Sequence, residues 1–355
     1  MVKTLFTSLV DIDYPIIQAP LVGGYSGPEM VAAVSNLGCL GTLALGNSSP
    51  DQIEKACAET QSLTDKPFAA NFFITQNQTY PTSSEKVSAL DALASYYTEL
   101  GLDPSCLYQE PLSAAPDLEE QIEAILDFNV PIITFTFGVP SVELLNKIRS
   151  QGVFLIATAT NIDEARLIQN FGFDAVILQG IDAGGHRASF LTAGNTGPDA
   201  TSLFQQTSRS ISIPQVVTGG IMTGQQISSF IRQGADACQL GSAYLFTDEA
   251  KLEEPYLSAI QQRPVDTCLT NSFTGKYARV VCNSFTQTMQ GQSVVSFPYQ
   301  SQLTSAIRKK AAELKKFEYL PFWLGNSAVQ GLQQSTESLT QNLISELKFS
   351  LSSGS

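Results

Sequence analysis

The chain has a single histidine in 355 residues, one tryptophan and four methionines. It is also poor in charge: Asp, Glu, Lys and Arg make up 15% of it, with 20 basic against 33 acidic residues and a formal net charge of −13. Sparse Lys and Arg argue against nucleic acid or an anionic membrane surface as the main partner, because both are recognised through clustered positive charge. One histidine, and no CxxC pair among Cys39, Cys57, Cys106, Cys238, Cys268 and Cys282, leave no pattern for a metal site, and none is expected. The cysteines read as reduced interior thiols. The opening MVKTLFTSLVDIDYP has one lysine and a short apolar run broken by Asp11 and Asp13, a poor secretory signal. No apolar run approaches the ~20 residues of a membrane span. A cytoplasmic protein is expected.

A hydrophobic content of 43% supports an ordinary buried core. Short apolar runs alternate with amphipathic stretches. Strands are expected over 14–20, 39–45, 66–74, 130–138, 153–159, 173–179, 213–221 and 235–243. Helices are expected over 28–38, 51–63, 117–128, 161–172 and 223–234, and from Ser141 to about residue 150. The helix at 161–172 has Asn161 or Asp163 placed to cap it. Runs buried on both faces and joined by crossover helices mean a parallel sheet. Eight such units in residues 1–245 predict a (β/α)8 TIM barrel, with a doubly wound open sheet as the alternative. Residues 75–117 break the rhythm as an insertion after strand three, with a helix over 85–100, and are a candidate lid. Residues 246–350 are expected to be a mainly helical extension packed on the barrel, including a helix over 300–317. Residues 351–355 are expected to be a disordered tail.

In such a barrel the chemistry sits at the carboxyl ends of the strands. Strand one ends in Gln18-Ala19-Pro20, followed by Leu21; strand three ends at Asn71. Strand six ends at Gln179 and runs into Gly184-Gly185-His186. Strand seven ends in Gly219-Gly220, and strand eight in Gln239-Leu240-Gly241-Ser242. Glycine turns after strands seven and eight are where barrels hold a phosphate, because glycine lets backbone N–H groups approach an anion. The amides of Gln18, Asn71, Gln179 and Gln239 suit a flat heterocycle with alternating donors and acceptors. Together these features favour flavin mononucleotide, FMN, over a bare sugar phosphate.

The segments PIIQAPLVGG, PFAANFF, ITFTFG, DAVILQGIDAGGHRASF, VVTGGI and GADACQLGSAYL resemble the nitronate monooxygenase family, once called 2-nitropropane dioxygenases. The resemblance extends through YYTELGLDP and FPYQSQLT and covers most of the chain. It implies an FMN-dependent barrel that oxidises alkyl nitronates, propionate 3-nitronate among them, with molecular oxygen to a carbonyl compound and nitrite. It further implies that Asn71, Gln179 and Gly184 contact FMN, and that Gly219, Gly220 and the Gln239–Ser242 turn hold its phosphate and flank its ring. It places His186 toward the substrate. Ala19, Pro20, Leu21 and Gly185 complete the expected cofactor-binding set. Two positions depart from the family pattern: Asp182 stands where Glu is common, and Ala188 where Gly is common. Alanine there would exclude an unstrained positive φ.

His186 follows two glycines at a strand end and has no competing histidine, so it is the expected catalytic residue. An unperturbed imidazole titrates near pH ~6.5. The ring can act as a base toward a neutral nitroalkane, or as a donor or imidazolium that holds the anionic nitronate; the residues leave both open. Arg187 is expected to pair structurally, with Asp182 as one partner, or with the phosphate. Tyr299 is a candidate substrate contact from the extension. A related FMN barrel that uses NAD(P)H to reduce enoyl thioesters or quinones is the rival enzyme, and a flavin-binding protein without turnover the non-enzymatic one. Expected partners are a small nitronate and O2, in a monomer or a homodimer.

Overall fold

The computed structural model describes residues 1–75, 79–105, 112–252, 256, 265–327 and 333–353. Eight parallel strands form one sheet: β1 (Ile16–Gln18), β2 (Gly41–Ala44), β3 (Phe68–Phe73), β4 (Ile132–Thr136), β5 (Phe154–Ala159), β6 (Ala175–Gln179), β8 (Gln215–Thr218) and β9 (Ala237–Leu240). A two-residue strand, β7 (Gly185–His186), belongs to a separate sheet. The order β1-β9-β8-β6-β5-β4-β3-β2 puts β1 and β2 at the two ends. Those ends meet: Gln18 N donates to Leu40 O at 2.9 Å and Leu40 N to Ile16 O at 3.0 Å. The bridge between Ile17 and Leu40 closes the sheet. The fold is therefore the expected TIM barrel and not an open sheet.

Strand alternation builds two apolar layers. Ile17, Ala69, Ile132, Ile156, Ile177, Val216 and Ala237 fill the barrel interior with Phe6 and Val10 from the helix Leu5–Leu9 and the residue after it. Their neighbours Ala70, Ile133, Leu155, Val176, Leu178, Val217 and Cys238 face the helices and meet Met30, Ile53, Ile122, Ile148, Ile168, Leu203 and Ile227. Full burial of each Ile or Leu contributes roughly 1.5–3 kcal/mol. The helices stop and start where side chains cap them. Asn161, for example, accepts from Glu164 N at 2.9 Å and opens the helix Ile162–Asn170.

The expected extension differs from its sequence reading in several ways. It is not only helical: β10 (Thr267–Thr270) and β11 (Ala278–Val281) form an antiparallel pair, and β11 pairs in turn with β7. The helix read over 300–317 is two, Tyr299–Leu303 and Ser305–Leu314, parted at Thr304, whose hydroxyl donates to Phe273 O at 2.7 Å. The insertion packs on the extension. Its helix Ser83–Glu99 buries Leu90, Leu93, Tyr96 and Tyr97 against Phe273, Phe285, Leu303 and Ile307 of the extension, forming a second core. The last helix, Thr336–Ser352, packs Leu339, Leu343 and Leu347 onto the barrel. Its course through Ser352 contradicts a tail disordered from residue 351; residues 354–355 lie outside the described residues. No helix among the described residues is long and apolar enough to cross a membrane.

Candidate active site

A cavity of about 380 Å3 opens at the carboxyl ends of the strands, within the ~300–1,000 Å3 range of small-molecule sites. Ala19, Pro20, Leu21, Asn71, Gln179, Gly184, Gly185, His186, Gly219, Gly220, Gln239, Gly241 and Ser242 all line it. A wider, open hollow at the opposite end is bordered by Asp11, Lys66, Pro131, Phe154 and Asp174. That end of a barrel serves stability more than chemistry.

Two expected site residues fall elsewhere. Leu240 is buried in the outer layer with the helices, because successive strand residues point to opposite faces and Gln239 takes the cavity side. Tyr299 packs in the second core with its ring 5.0 Å from that of Tyr80. Residues two apart on a helix face different ways, and it is Ser301 that lines the cavity. Gln18 is also structural: its Oε1 accepts from Thr42 N at 2.9 Å.

The floor suits a flat polar group. Asn71 Nδ2 donates to Thr134 Oγ1 at 2.8 Å and to Thr136 Oγ1 at 3.0 Å, while its Oδ1 is buried with no partner. A buried acceptor left so is costly unless a ligand donates to it. Gly219 and Gly220 have φ of +130° and +65°, and a Cβ on Gly219 would stand 2.6 Å from Asp182 Oδ1. A Cβ on Gly184 would stand 2.5 Å from Gly325 N. Glycine is thus required on steric grounds on both sides of the cavity. Ser242 Oγ accepts from Gly325 N at 3.0 Å, tying this end to the extension.

Gln179 has less freedom than its place suggested. Its Oε1 accepts from Ala188 N at 2.9 Å and Arg187 Nη1 at 3.1 Å, and its Nε2 donates to His186 O at 2.9 Å. Its amide braces the segment that carries the histidine. Arg187, 1% exposed, also donates to Gly180 O at 2.7 Å and Gln179 O at 2.9 Å. Burial pushes its pKa down to about 10, opposed by the carboxylate of Glu164. Glu164 accepts from Thr160 N, Phe190 N and Leu191 N at 2.6, 2.8 and 3.0 Å. The expected structural pairing of Arg187 holds, with carbonyls and not Asp182 as the bonded partners. Asp182 caps Ala200 N at 3.1 Å, and burial raises its pKa. Ala188 is not among the residues with positive φ, so alanine there carries no strain.

His186 stands in an aromatic wall. Trp323 stacks on it at 5.2 Å, and Phe137 and Phe297 meet it edge-on at 5.9 and 5.7 Å. Its Nε2 is 2.9 Å from Thr274 Oγ1. Burial first, then the positive charges of Lys276 and Arg308, push its pKa down to about 4. The imidazole is neutral near pH 7. Lys276 Nζ donates to Ser189 O at 2.8 Å and lies 4.7 Å over the Phe137 ring; burial lowers its pKa to about 8. Arg308 lines the cavity, donates through Nη2 to Ser301 O at 2.8 Å, and has a buried, unpartnered Nε. These cations make the site locally positive within an acidic chain.

A family model for nitronate monooxygenase matches residues 3–347. The chain belongs to the nitronate monooxygenase family. It is similar to probable nitronate monooxygenases of Staphylococcus haemolyticus, 35% identical over 96% of both chains, and of Staphylococcus aureus, 34% identical over 97% of both. Among solved structures it is similar to nitroalkane oxidase from Streptomyces ansochromogenes, at 31% identity and a TM-score of 0.89 over 99% of this chain and 100% of that one. FabK from Thermotoga maritima shares the fold, at 23% identity and a TM-score of 0.76 over 99% of this chain and 98% of that one. As a family member the chain is an oxidoreductase acting on small molecules.

Sequence reasoning missed Phe137, Thr274, Phe297, Arg308 and Trp323 at the site. Phe137 had one local signal: it precedes Gly138 at the end of β4, and its own φ of +78° is the kind of strain that gathers at functional sites. The other four come from the extension; Phe297 opens the FPYQSQLT segment two residues from the candidate Tyr299, while nothing in the neighbourhoods of Thr274, Arg308 and Trp323 marks the barrel mouth as their destination.

Proposed function

We propose that this nitronate monooxygenase family member binds FMN in the cavity and oxidises alkyl nitronates with O2 to a carbonyl compound and nitrite. The observation that carries the reading is a neutral, immobilised His186 beside Arg308 at the mouth of a glycine-walled cavity. Asn71 Oδ1 would accept from the isoalloxazine edge, and the backbone N–H groups at Gly219, Gly220 and Gly241-Ser242 would hold the phosphate. FMN, when bound, supplies the electron transfer between nitronate and oxygen.

The chain's own residues bind, orient and exclude water. A ring that stays neutral near pH 7 is a poor base and a good fixed hydrogen-bond donor, so His186 holds the anionic nitronate group. The wall of Phe137, Phe297 and Trp323 keeps the reacting carbon away from water and strengthens that hydrogen bond. Arg308, which lines the cavity, offers a cation to a second anionic group, which favours a carboxylate-bearing nitronate such as propionate 3-nitronate.

The test is anaerobic. Purified, flavin-loaded protein is mixed in separate samples with propionate 3-nitronate and with NADH, and the flavin absorbance is followed. Bleaching by the nitronate, with nitrite released once oxygen is admitted, is the expected result. Bleaching by NADH alone would make the protein a reductase, a rival to which the FabK likeness lends the fold alone. Protein that takes up no FMN would overturn the cofactor.

A further inference from the structure

Residues 322–327 of the extension run along one side of the cavity, tied down at both ends. Val281 N of β11 donates to Phe322 O at 2.9 Å, and Asn326 N donates to Asp182 O at 3.1 Å. Thr267 Oγ1 also donates to Asn326 Oδ1 at 2.6 Å. Between these ties the chain alternates as an extended segment does. Trp323 and Gly325 line the cavity, while Leu324 between them packs with Leu245 and Phe246. One strap therefore reaches both parts of the site. Trp323 stacks on His186 at 5.2 Å, and Gly325 stands against the glycine turns.

Gly325 fits there only as glycine. A Cβ on it would stand 2.9 Å from Asp182 O and 3.2 Å from Gly184 N. Its own N–H donates to Ser242 Oγ at 3.0 Å. An amide N–H can only donate, so this bond takes up one lone pair of the hydroxyl and leaves its proton. Among the described residues that proton meets no acceptor, and Ser242 lines the cavity. The strap borders a second turn as well: a Cβ on Gly220 would stand 3.0 Å from Ser327 Oγ.

We propose that Gly325 is a positioning residue of the cofactor site: its N–H holds the Ser242 hydroxyl as a donor to the phosphate monoester of the flavin, and the strap carries occupancy of that end to Trp323. A hydroxyl that accepts from one N–H is polarised and donates more strongly, above all to an anion. The group recognised is the phosphate and not the ring. Trp323 is two residues from Gly325, so a shift of Gly325 and Ser242 toward a bound phosphate moves the indole that stacks on His186. The ligand part rests on the FMN reading above; the Gly325–Ser242 bond is a property of the chain.

Flavin-free full-length protein is titrated with FMN and with riboflavin, which has the same ring and no phosphate. In a separate titration inorganic phosphate is added and the emission of Trp323, the only tryptophan, is followed. Ser242→Ala is expected to weaken FMN about 10- to 100-fold, the scale of a hydrogen bond to a charged group, and to leave riboflavin nearly unchanged. Gly325→Ala is expected to weaken FMN about tenfold, with little effect on riboflavin, and to add much less in the Ser242→Ala background, because both changes act through one bond. Phosphate should alter Trp323 emission in wild type and not in Ser242→Ala. Equal losses of FMN and riboflavin in Gly325→Ala would mark a merely structural glycine and overturn the proposal. Additive losses in the double variant would do the same, as would phosphate that competes with FMN yet leaves Trp323 emission unchanged. Tight FMN binding that Gly325→Ala does not weaken would overturn the proposal and leave the FMN reading standing; protein that binds no FMN would sink both.

Discussion

The only histidine and the only tryptophan of the chain lie face to face: the His186 and Trp323 rings are 5.2 Å apart at 27°. The two are 137 residues apart (323 − 186), so the extension that carries the tryptophan completes the wall around the histidine. The pairing joins an optical probe to the central group of the site.

This contact makes the state of His186 visible. Its pKa is depressed to about 4, below the ordinary value, so the folded ring stays neutral where the unfolded ring takes up a proton. Stability tied to this residue is full above pH ~6.5, falls as pH drops toward 4, and is lost below. Denaturant midpoints across pH 4–7 should show that slope in wild type and less of it in His186→Asn. Tryptophan fluorescence of the folded protein should change near pH 4 and not near 6.5. A transition near 6.5 would mean that the ring is not buried as described.

Arg308 should act on binding more than on turnover. In Arg308→Met, KM for a nitronate bearing a carboxylate is expected to rise about 10- to 100-fold, the scale of a hydrogen bond to a charged group, with kcat less affected. KM for propyl nitronate, which lacks the carboxylate, should change little. Steady-state nitrite release with the two substrates checks this, and equal effects on both would remove Arg308 from substrate selection.

Gly219→Ala should cost the protein its cofactor. The position has φ +130°, and a Cβ would stand 2.6 Å from Asp182 Oδ1. The alanine destabilises the turn by more than about 1 kcal/mol and pushes it out of shape. The flavin-to-protein ratio after gel filtration should fall well below that of wild type, with far-UV circular dichroism preserved.

Tyr299→Phe should leave kcat and KM within about twofold of wild type, because the ring packs against Tyr80 in the second core. Tyr299→Ala should lower stability by roughly 3–5 kcal/mol, as large-to-small changes in cores do. Denaturant melts and steady-state assays separate the two variants. A large catalytic defect in Tyr299→Phe would return this tyrosine to the site.

His186→Asn should reduce kcat/KM for nitronate by about 10²-fold or more while flavin content stays near that of wild type. Parallel loss of flavin would assign His186 to the cofactor instead.

Much of the barrel was legible in the chain because its signals are local. Runs such as FAANFF and AVILQ are apolar on both faces, which a strand wrapped by helices needs. Asn161 announces its helix by a side chain three residues from the N–H it caps. The glycines at 184, 185, 219, 220 and 241 mark by composition alone the turns that line the cavity. Leu240 was misread for lack of one step, the alternation that turns it outward once Gln239 points in.

What the sequence by itself determined is the run of eight strand–helix units, its glycine turns and the strand end where the single imidazole stands. Only the tertiary structure decided what surrounds that imidazole. Strand β7 is two residues long and pairs with Ala278 and Arg279 far along the chain, and no periodicity shows in a segment so short. That pairing brings Thr274 to Nε2, and the extension brings Trp323, Phe297 and Arg308 to the same mouth. Their contacts follow from the burial of one apolar surface on another, which has no direction along the chain and leaves no local pattern to read.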